Sequence, residues 1–233
     1  MNLICFIFAR GGSKELKNKN IKKFNNKPLI ANSILNAKKI KLIKGVFVST
    51  DSKKIKKISE NYGAKVPFLR PKILARDNSP ELLSWKHAIN FYEKTFNKKI
   101  DIFISLPTTS PLTKKNDIIK AINIFLKKRK QIDLLISITK TNHYPGFNMV
   151  SKNKKKIVKI LKGEKNIYQR QKIKNIFNIS TCFYITTPQY IRKCRKNLFK
   201  GKIYGYEVDK YSAIDIDTIY DFKFAEFLKK HGK

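Results

Sequence analysis

Two stretches of the chain carry side chains able to do chemistry together. Near the start, Ala9-Arg10-Gly11-Gly12-Ser13-Lys14 leads on to Lys19-Asn20. Paired glycines let the backbone approach a ligand closely, and successive N–H groups can form an anion nest. Arg10 can hold phosphate bidentately, Lys14 and Lys19 supply point charges, and Ser13 adds a hydroxyl. The spacing is neither GxxxxGK[ST] nor GxGxxG. The loop therefore reads either as a phosphate cradle or as an ordinary strand-to-helix turn with solvated lysines. Near the end, Asp215-Ile216-Asp217-Thr218 sets two carboxylates two residues apart in an acid-poor chain. If extended, they face one side about 7 Å apart along the strand. Mg²⁺ commonly takes one or two carboxylates and fills its shell with water and substrate phosphates. The competing reading has Asp217 capping the last helix and Asp215 merely exposed.

The elements that must position these groups alternate along the chain. Residues 3–9 form an apolar run that ends in the first loop, a strand meeting a loop. Pro28 opens a helical stretch to about residue 40. Residues 46–49 are a second strand, and Ser52 caps a helix whose Ile55, Ile58 and Tyr62 fall at helical spacing before Gly63 ends it. Further strands are expected at 66–69, 100–106, 134–139, 182–186 and 203–208. Helices are expected over 81–96 and 117–128, after Pro188, and from Thr218. Such alternation gives an α/β fold with a mostly parallel sheet and helices on both faces. Ligands then bind outside the carboxyl ends of the strands. The irregular, charged, hairpin-like stretch 140–178 is a candidate extra lobe.

The 233 residues suffice for one sizeable domain. Lys and Arg outnumber Asp and Glu by 52 to 16, a net charge of +36. Only seven of the 52 are Arg, and Lys, Ile and Asn together make up 98 residues. That bias matches AT-rich coding, and the lysines spread along the whole chain instead of forming one stripe. Drift therefore accounts for the charge better than a nucleic-acid footprint, and no stacking platform or helix-turn-helix pattern accompanies it. Cys5, Cys182 and Cys194 are odd in number with no CxxC spacing, which fits a reducing compartment. No apolar run reaches about 18 residues, and the apolar start lacks a basic leader. A cytoplasmic protein without membrane insertion is expected. The three histidines are far apart and show no metal spacing.

With these motifs in place, the chain resembles the acylneuraminate cytidylyltransferase (CMP-sialic acid synthetase) family from residue 3 to about 228. ARGGSKELKNKN matches the family's A-R-x-x-S-K-x-x-x-x-K-N signature. Val48-Ser49-Thr50-Asp51, Leu69-Arg70-Pro71, Thr109-Ser110-Pro111-Leu112, Arg170-Gln171 and Asp215-Ile216-Asp217-Thr218 follow in the family's order. The resemblance implies a Rossmann-like nucleotidyltransferase fold forming a single domain. It implies CTP bound by Arg10, Ser13, Lys14, Lys19 and Asn20, with Arg70, Asn78 and Ser79 near the cytidine. Arg10, Lys14 and Lys19 with Asp215 and Asp217 would be catalytic, and the two aspartates would hold Mg²⁺. Thr108, Thr109, Ser110, Arg170 and Gln171 would face the sugar. The stretch 140–178 resembles the family's dimerisation element, so a homodimer is expected. Departures fall where the acceptor should sit. Pro107 stands where the family often has Gln, Ser180-Thr181-Cys182-Phe183-Tyr184-Ile185 replaces N-G-A-I-Y-I, and Gln169 replaces the first of two arginines.

The expected activity is transfer of CMP from CTP to an acidic 2-keto sugar, a sialic acid or related nonulosonic acid, with release of pyrophosphate for surface glycan synthesis. The alternatives are a Mg²⁺-dependent nucleotidyltransferase using an octulosonic acid or another nucleotide, and, from a different class, a basic nucleic-acid-binding protein.

Overall fold

Strand β1 (Leu3–Phe8) shows how the sequence builds the two faces of the sheet. Successive side chains of a strand point to opposite faces. Leu3, Cys5 and Ile7 join one apolar cluster, while Ile4 and Phe6 join another. The computed structural model describes residues 1–154, 156–162 and 175–232. After β1 come the two-residue strands β2 (Lys23–Phe24) and β3 (Lys27–Pro28), then α1 (Leu29–Lys38), β4 (Gly45–Ser49), α2 (Lys53–Asn61) and α3 (Glu81–Phe96). The chain continues through β5 (Ile102–Ser105), α4 (Lys115–Lys128), β6 (Leu134–Lys140), β7 (Val150–Lys152) and β8 (Val158–Ile160). It ends with β9 (Phe177–Thr186), α5 (Pro188–Lys193), β10 (Ile203–Glu207) and α6 (Ile219–His231).

Six strands form the main sheet in the order β10-β6-β9-β5-β1-β4. All its pairings are parallel except those of β9, which runs antiparallel between β5 and β6. The expected α/β architecture is therefore present, with one reversed strand inside it. On one face α1, α2 and α4 contribute Ile30, Ile34, Ile55, Ile118 and Ile122 to the core. On the other, α3 contributes Leu82, Trp85 and Ile89, and α5 contributes Ile191. Trp85 lies 4.9 Å from the Phe103 ring, and burying such a side chain contributes about 1.5–3 kcal/mol. A third cluster seats α6 beside the β2–β3 hairpin, with Phe222 edge-on to Phe24 at 5.6 Å.

Local signals place most ends. The Ser52 hydroxyl accepts from Ile55 N at 3.4 Å to start α2, and Gly63 follows that helix at φ +82°. That backbone angle is one L-residues rarely adopt, which is why glycine stands there. Two expectations about strands change. Residues 66–69 do not form a strand; only isolated bridges, Phe47 to Lys65 and Thr50 to Leu69, run beside β4. Strand β9 begins five residues before the expected 182: Phe177, Asn178 and Ile179 pair with Lys140, Thr139 and Ile138 of β6, and a register shift separates them from the paired Tyr184–Thr186. Within the expected extra lobe, the described residues hold one antiparallel hairpin, β7–β8. No helix among the described residues is long and apolar enough to cross a membrane.

Candidate active site

A cleft of about 640 Å³ opens beyond the carboxyl ends of β1 and β5. The first loop lines it with Arg10, Ser13, Lys14, Lys19 and Asn20. Facing these are Arg70, Asp77, Ser79 and Glu81 from the stretch leading into α3, Thr108 and Thr109 after β5, and Asp217 before α6.

The first loop is pinned at three points. Asp51, just after β4, accepts from Gly11 N at 2.8 Å through Oδ1. A Cβ on Gly11 would meet Ser52 Cβ at 3.1 Å, so the loop lies close over the start of α2. Asn20 is buried and uses both ends of its amide. Its Nδ2 donates to Arg10 O at 2.9 Å, and its Oδ1 accepts from the Thr108 hydroxyl at 2.6 Å. Asn20 therefore ties the first loop to the loop after β5. Lys19 Nζ donates to Ile216 O at 2.7 Å and to Asp217 Oδ1 at 2.9 Å.

Three of the cations in the cleft, Arg10, Lys14 and Lys19, are paired with a carboxylate. Arg10 and Lys14 both hold Asp77. The Lys14 ammonium, then the Arg10 guanidinium, keep this carboxyl below the usual carboxylate range against a smaller opposing effect of desolvation. Arg70 is buried, with Nη1 donating to Ser84 Oγ at 3.2 Å and Nε without a partner. Burial lowers its pKa, and Asp51 and Glu81 oppose that shift. Glu81 is exposed as a residue, yet its carboxyl is surrounded by enough protein for desolvation to raise its pKa, with Trp85 and Arg70 acting the other way.

Of the residues singled out from the sequence, Arg10, Ser13, Lys14, Lys19, Asn20, Arg70, Ser79, Thr108, Thr109 and Asp217 line the cleft. Asn78 is exposed and lies outside the lining. Ser110 is turned inward, its Oγ 2.6 Å from the Thr181 hydroxyl, and faces a small void behind the cleft. Arg170 and Gln171 lie outside the described residues. The two aspartates do not extend a strand, as β10 stops at Glu207. They belong to an irregular bridge held by Ile216 N donating to Thr109 O at 2.8 Å. Asp217 is not the cap of α6; Thr218 is, in a capping box with Asp221. Asp77, Asp51 and Asp221 are site residues whose pairings the sequence did not reveal. In a chain with 16 acids, their rarity was the available signal.

The acids fit a divalent cation in one respect. Asp215 is half-buried and its Oδ1 has no hydrogen-bond partner, an orphaned anionic oxygen beside the exposed carboxylate of Asp217 in the sequence. No group of three or more His, Cys, Asp or Glu that could hold a metal occurs among the described residues. A Mg²⁺ bound partly through substrate phosphates does not need one.

The nucleotide-sized cleft at the strand ends, walled by cations and a Gly-rich loop, is that of a nucleotidyl-transferring α/β protein. Residues 4–231 match the family model described as Cytidylyltransferase, and the chain belongs to that family. It is 37% identical over 229 residues to Post-translational flagellin modification protein B of Campylobacter coli, covering 98% of this chain and 95% of that one. It is 36% identical over 227 residues to the CMP-N,N'-diacetyllegionaminic acid synthase of Campylobacter jejuni, covering 97% and 94%. Among solved structures, a CMP:2-keto-3-deoxy-manno-octonic acid synthetase complexed with CTP superposes over the full length of both chains with a TM-score of 0.74. At 14% identity that likeness speaks for the fold alone. The protein is a CTP-dependent cytidylyltransferase of the acylneuraminate type.

Proposed function

We propose that the cleft transfers CMP from CTP to the anomeric hydroxyl of a nonulosonic acid. The observation that carries this reading is the convergence of Arg10, Lys14 and Lys19 on one cleft with Asp217, Thr108 and Thr109. The relatives support the acceptor class, since their names refer to diacetyllegionaminic, pseudaminic and N-acylneuraminic acids. In the reaction the sugar oxygen bonds to the α-phosphorus, and the bond from that phosphorus to the bridging oxygen breaks. Pyrophosphate leaves with the electron pair, and the hydroxyl proton is lost to water.

Arg10 and Lys14 would exchange Asp77 for the β- and γ-phosphates, and Lys19 would face the α-phosphate. Preorganised cations aimed at developing charge are the main source of rate in such a transfer. Asn20, with both amide ends engaged, would hold the loop and the Arg10 backbone in place at the cleft wall, beside the nucleotide. Arg70 and Ser79 would face the nucleoside, and Thr109 the acceptor. Asp215 and Asp217 would hold Mg²⁺, which when bound neutralises phosphate charge and orients the leaving group.

The stretch 140–178 supports a homodimer. Val150, Val158 and Ile160 of the β7–β8 hairpin are more than half exposed, an apolar face that a second copy would cover. The test of the activity is pyrophosphate release from CTP, UTP, ATP and GTP with a panel of nonulosonic acids and one octulosonic acid. Turnover confined to CTP with a nonulosonic acid is expected. Equal turnover with the octulosonic acid would overturn the acceptor class.

A further inference from the structure

A second cavity, of about 690 Å³, lies at the other end of the sheet. It sits where β6 and β10 begin and β9 ends, whereas the active cleft lies beyond the carboxyl ends of β1 and β5. Five of its ten lining residues are cations: Lys193, Arg195, Lys196, Lys200 and Lys202. In the chain as a whole the proportion is 52 in 233, so cations are about twice as frequent in this lining.

Pairing is more extensive in the active cleft, although Arg70 and Arg76 of its lining form no ion pair among the described residues. There Arg10, Lys14 and Lys19 each have a carboxylate. Among the described residues none of the five cations here forms an ion pair. The one acid in the lining, Asp133, spends Oδ2 on the backbone N–H of Lys202 at 2.8 Å. The floor is firm. Tyr190 donates its hydroxyl to Leu198 O at 2.7 Å, and a Cβ on Gly201 would lie 2.5 Å from that hydroxyl. Lys86 Nζ, donating to Cys194 O at 2.7 Å, fixes the turn after α5 from the α3 side.

Five like charges around one concavity raise the local concentration of anions. A volume of this size suits a mononucleotide-sized ligand. We propose that this cavity is a second anion site, binding a compact phosphate polyanion away from the catalytic cleft. A lipid headgroup offers the same phosphate chemistry, and the exposed Phe199 lies in the same segment. The concave shape favours a free ligand.

The test is calorimetric titration of the whole protein with inorganic tripolyphosphate at 0.15 M salt. Two equivalents per chain are expected, one in each cavity. The variant Lys196→Gln/Lys200→Gln/Lys202→Gln should lose one equivalent, or bind it at least about tenfold more weakly, with its melting temperature intact. A control, Lys53→Gln/Lys57→Gln/Lys120→Gln, removes the same charge elsewhere and should keep both. A single equivalent in the wild type that Arg10→Gln/Lys14→Gln abolishes would overturn the proposal. Equal weakening in the control would also overturn it, by showing a diffuse field. Sedimentation with phosphatidylglycerol vesicles is the third arm. Patch-dependent vesicle binding without saturable tripolyphosphate binding would replace the free anion with a membrane surface and overturn the proposal as stated.

Discussion

Lys19 and Asp217, 198 positions apart in the sequence, meet at 2.9 Å across the active cleft. The contact joins the first loop to the last turn before α6, so the two ends of the chain close the site together. On the proposed function, the ammonium that would face a phosphate rests on a carboxylate that would hold a cation. Substrate and metal would each relieve the other's partner.

Replacing Lys19 by Met tests that role. Turnover at saturating CTP is expected to fall roughly 10²-fold or more, as for loss of a preorganised donor. The melting temperature should fall only modestly, because an ion pair with an exposed carboxylate contributes about 0–1 kcal/mol and the hydrogen bond to Ile216 O about 0.5–1.5 kcal/mol. A sharp drop in melting temperature with turnover preserved would make Lys19 a strut only.

On the proposed function, Asp77, which holds Arg10 and Lys14, would compete with the triphosphate for them. Asp77→Asn should therefore lower KM for CTP by about two- to fivefold, the scale of an exposed ion pair, with kcat little changed. The competition has a defined pH range. The Asp77 pKa is depressed, chiefly by Lys14, so the carboxylate stays charged at neutral pH and lets go only as pH falls below the usual carboxylate range. Initial rates against CTP concentration, for wild type and variant, check both points. An increased KM in the variant would show that Asp77 organises the loop for CTP instead of competing with it.

Asp221 fixes the backbone on which Asp217 stands. Its Oδ2 accepts from Thr218 N at 2.7 Å and Asp217 N at 3.2 Å, while the Thr218 hydroxyl accepts from Asp221 N at 3.2 Å. Asp221→Ala should destabilise the protein by about 1 kcal/mol, the ordinary value of a lost cap. The hydrogen bond from Thr218 N leads the contributions that depress the Asp221 pKa. The stabilisation is accordingly present above the ordinary carboxylate range and is lost as pH falls through the lowered value. Urea midpoints of wild type and variant should converge at the acid end. A constant difference at every pH would rule out the carboxylate as the cause.

The sequence made the frame of this site readable but not its pairings. The alternation in Leu3–Phe8 and the capped, helically spaced run after Ser52 each carry a local signal, and both elements formed where that signal lies. The first loop and Asp217 were legible as chemistry because rare residue types stand close together there. Position across space was not legible. Nothing in the spacing joins Lys19 to Asp217 or Arg10 to Asp77, since those contacts depend on sheet order. Ser110 and Thr109 are neighbours, yet one faces Thr181 behind the cleft and the other lines it. The first half of β9 was missed because it runs on past β5, paired there with β6, where backbone partners matter more than apolar side chains.

The hairpin offers a direct test of assembly. Val158→Asp/Ile160→Asp places two charges on an apolar face that is exposed in the single chain. In an isolated subunit such surface changes alter stability little, typically within about 0.5 kcal/mol. If a second copy covers the face, they bury unpaired charge and should convert a dimer to a monomer in light scattering at micromolar concentration. A wild-type monomer, or a variant that stays dimeric, would remove the hairpin from the interface.

The two aspartates of the bridge should respond differently to loss of charge. Asp215 buries an oxygen with no hydrogen-bond partner, a cost to the fold that a bound cation would offset. Asp217 is exposed and already neutralised by Lys19, so its charge costs the fold little. In the absence of Mg²⁺, Asp215→Asn should therefore melt at the same temperature as wild type or higher, while Asp217→Asn should melt at the same temperature or slightly lower. Adding Mg²⁺ with CTP should raise the melting temperature of wild type, and either variant should need at least about tenfold more Mg²⁺ for the same rise, having lost one of the few anionic ligands available. The Mg²⁺ midpoint for pyrophosphate release should move in parallel. If Asp215→Asn melts well below wild type without Mg²⁺, its carboxylate holds the fold and is not an unmet ligand. If neither variant shifts the Mg²⁺ midpoint, the cation is bound elsewhere, and the bridge serves only to seat Lys19.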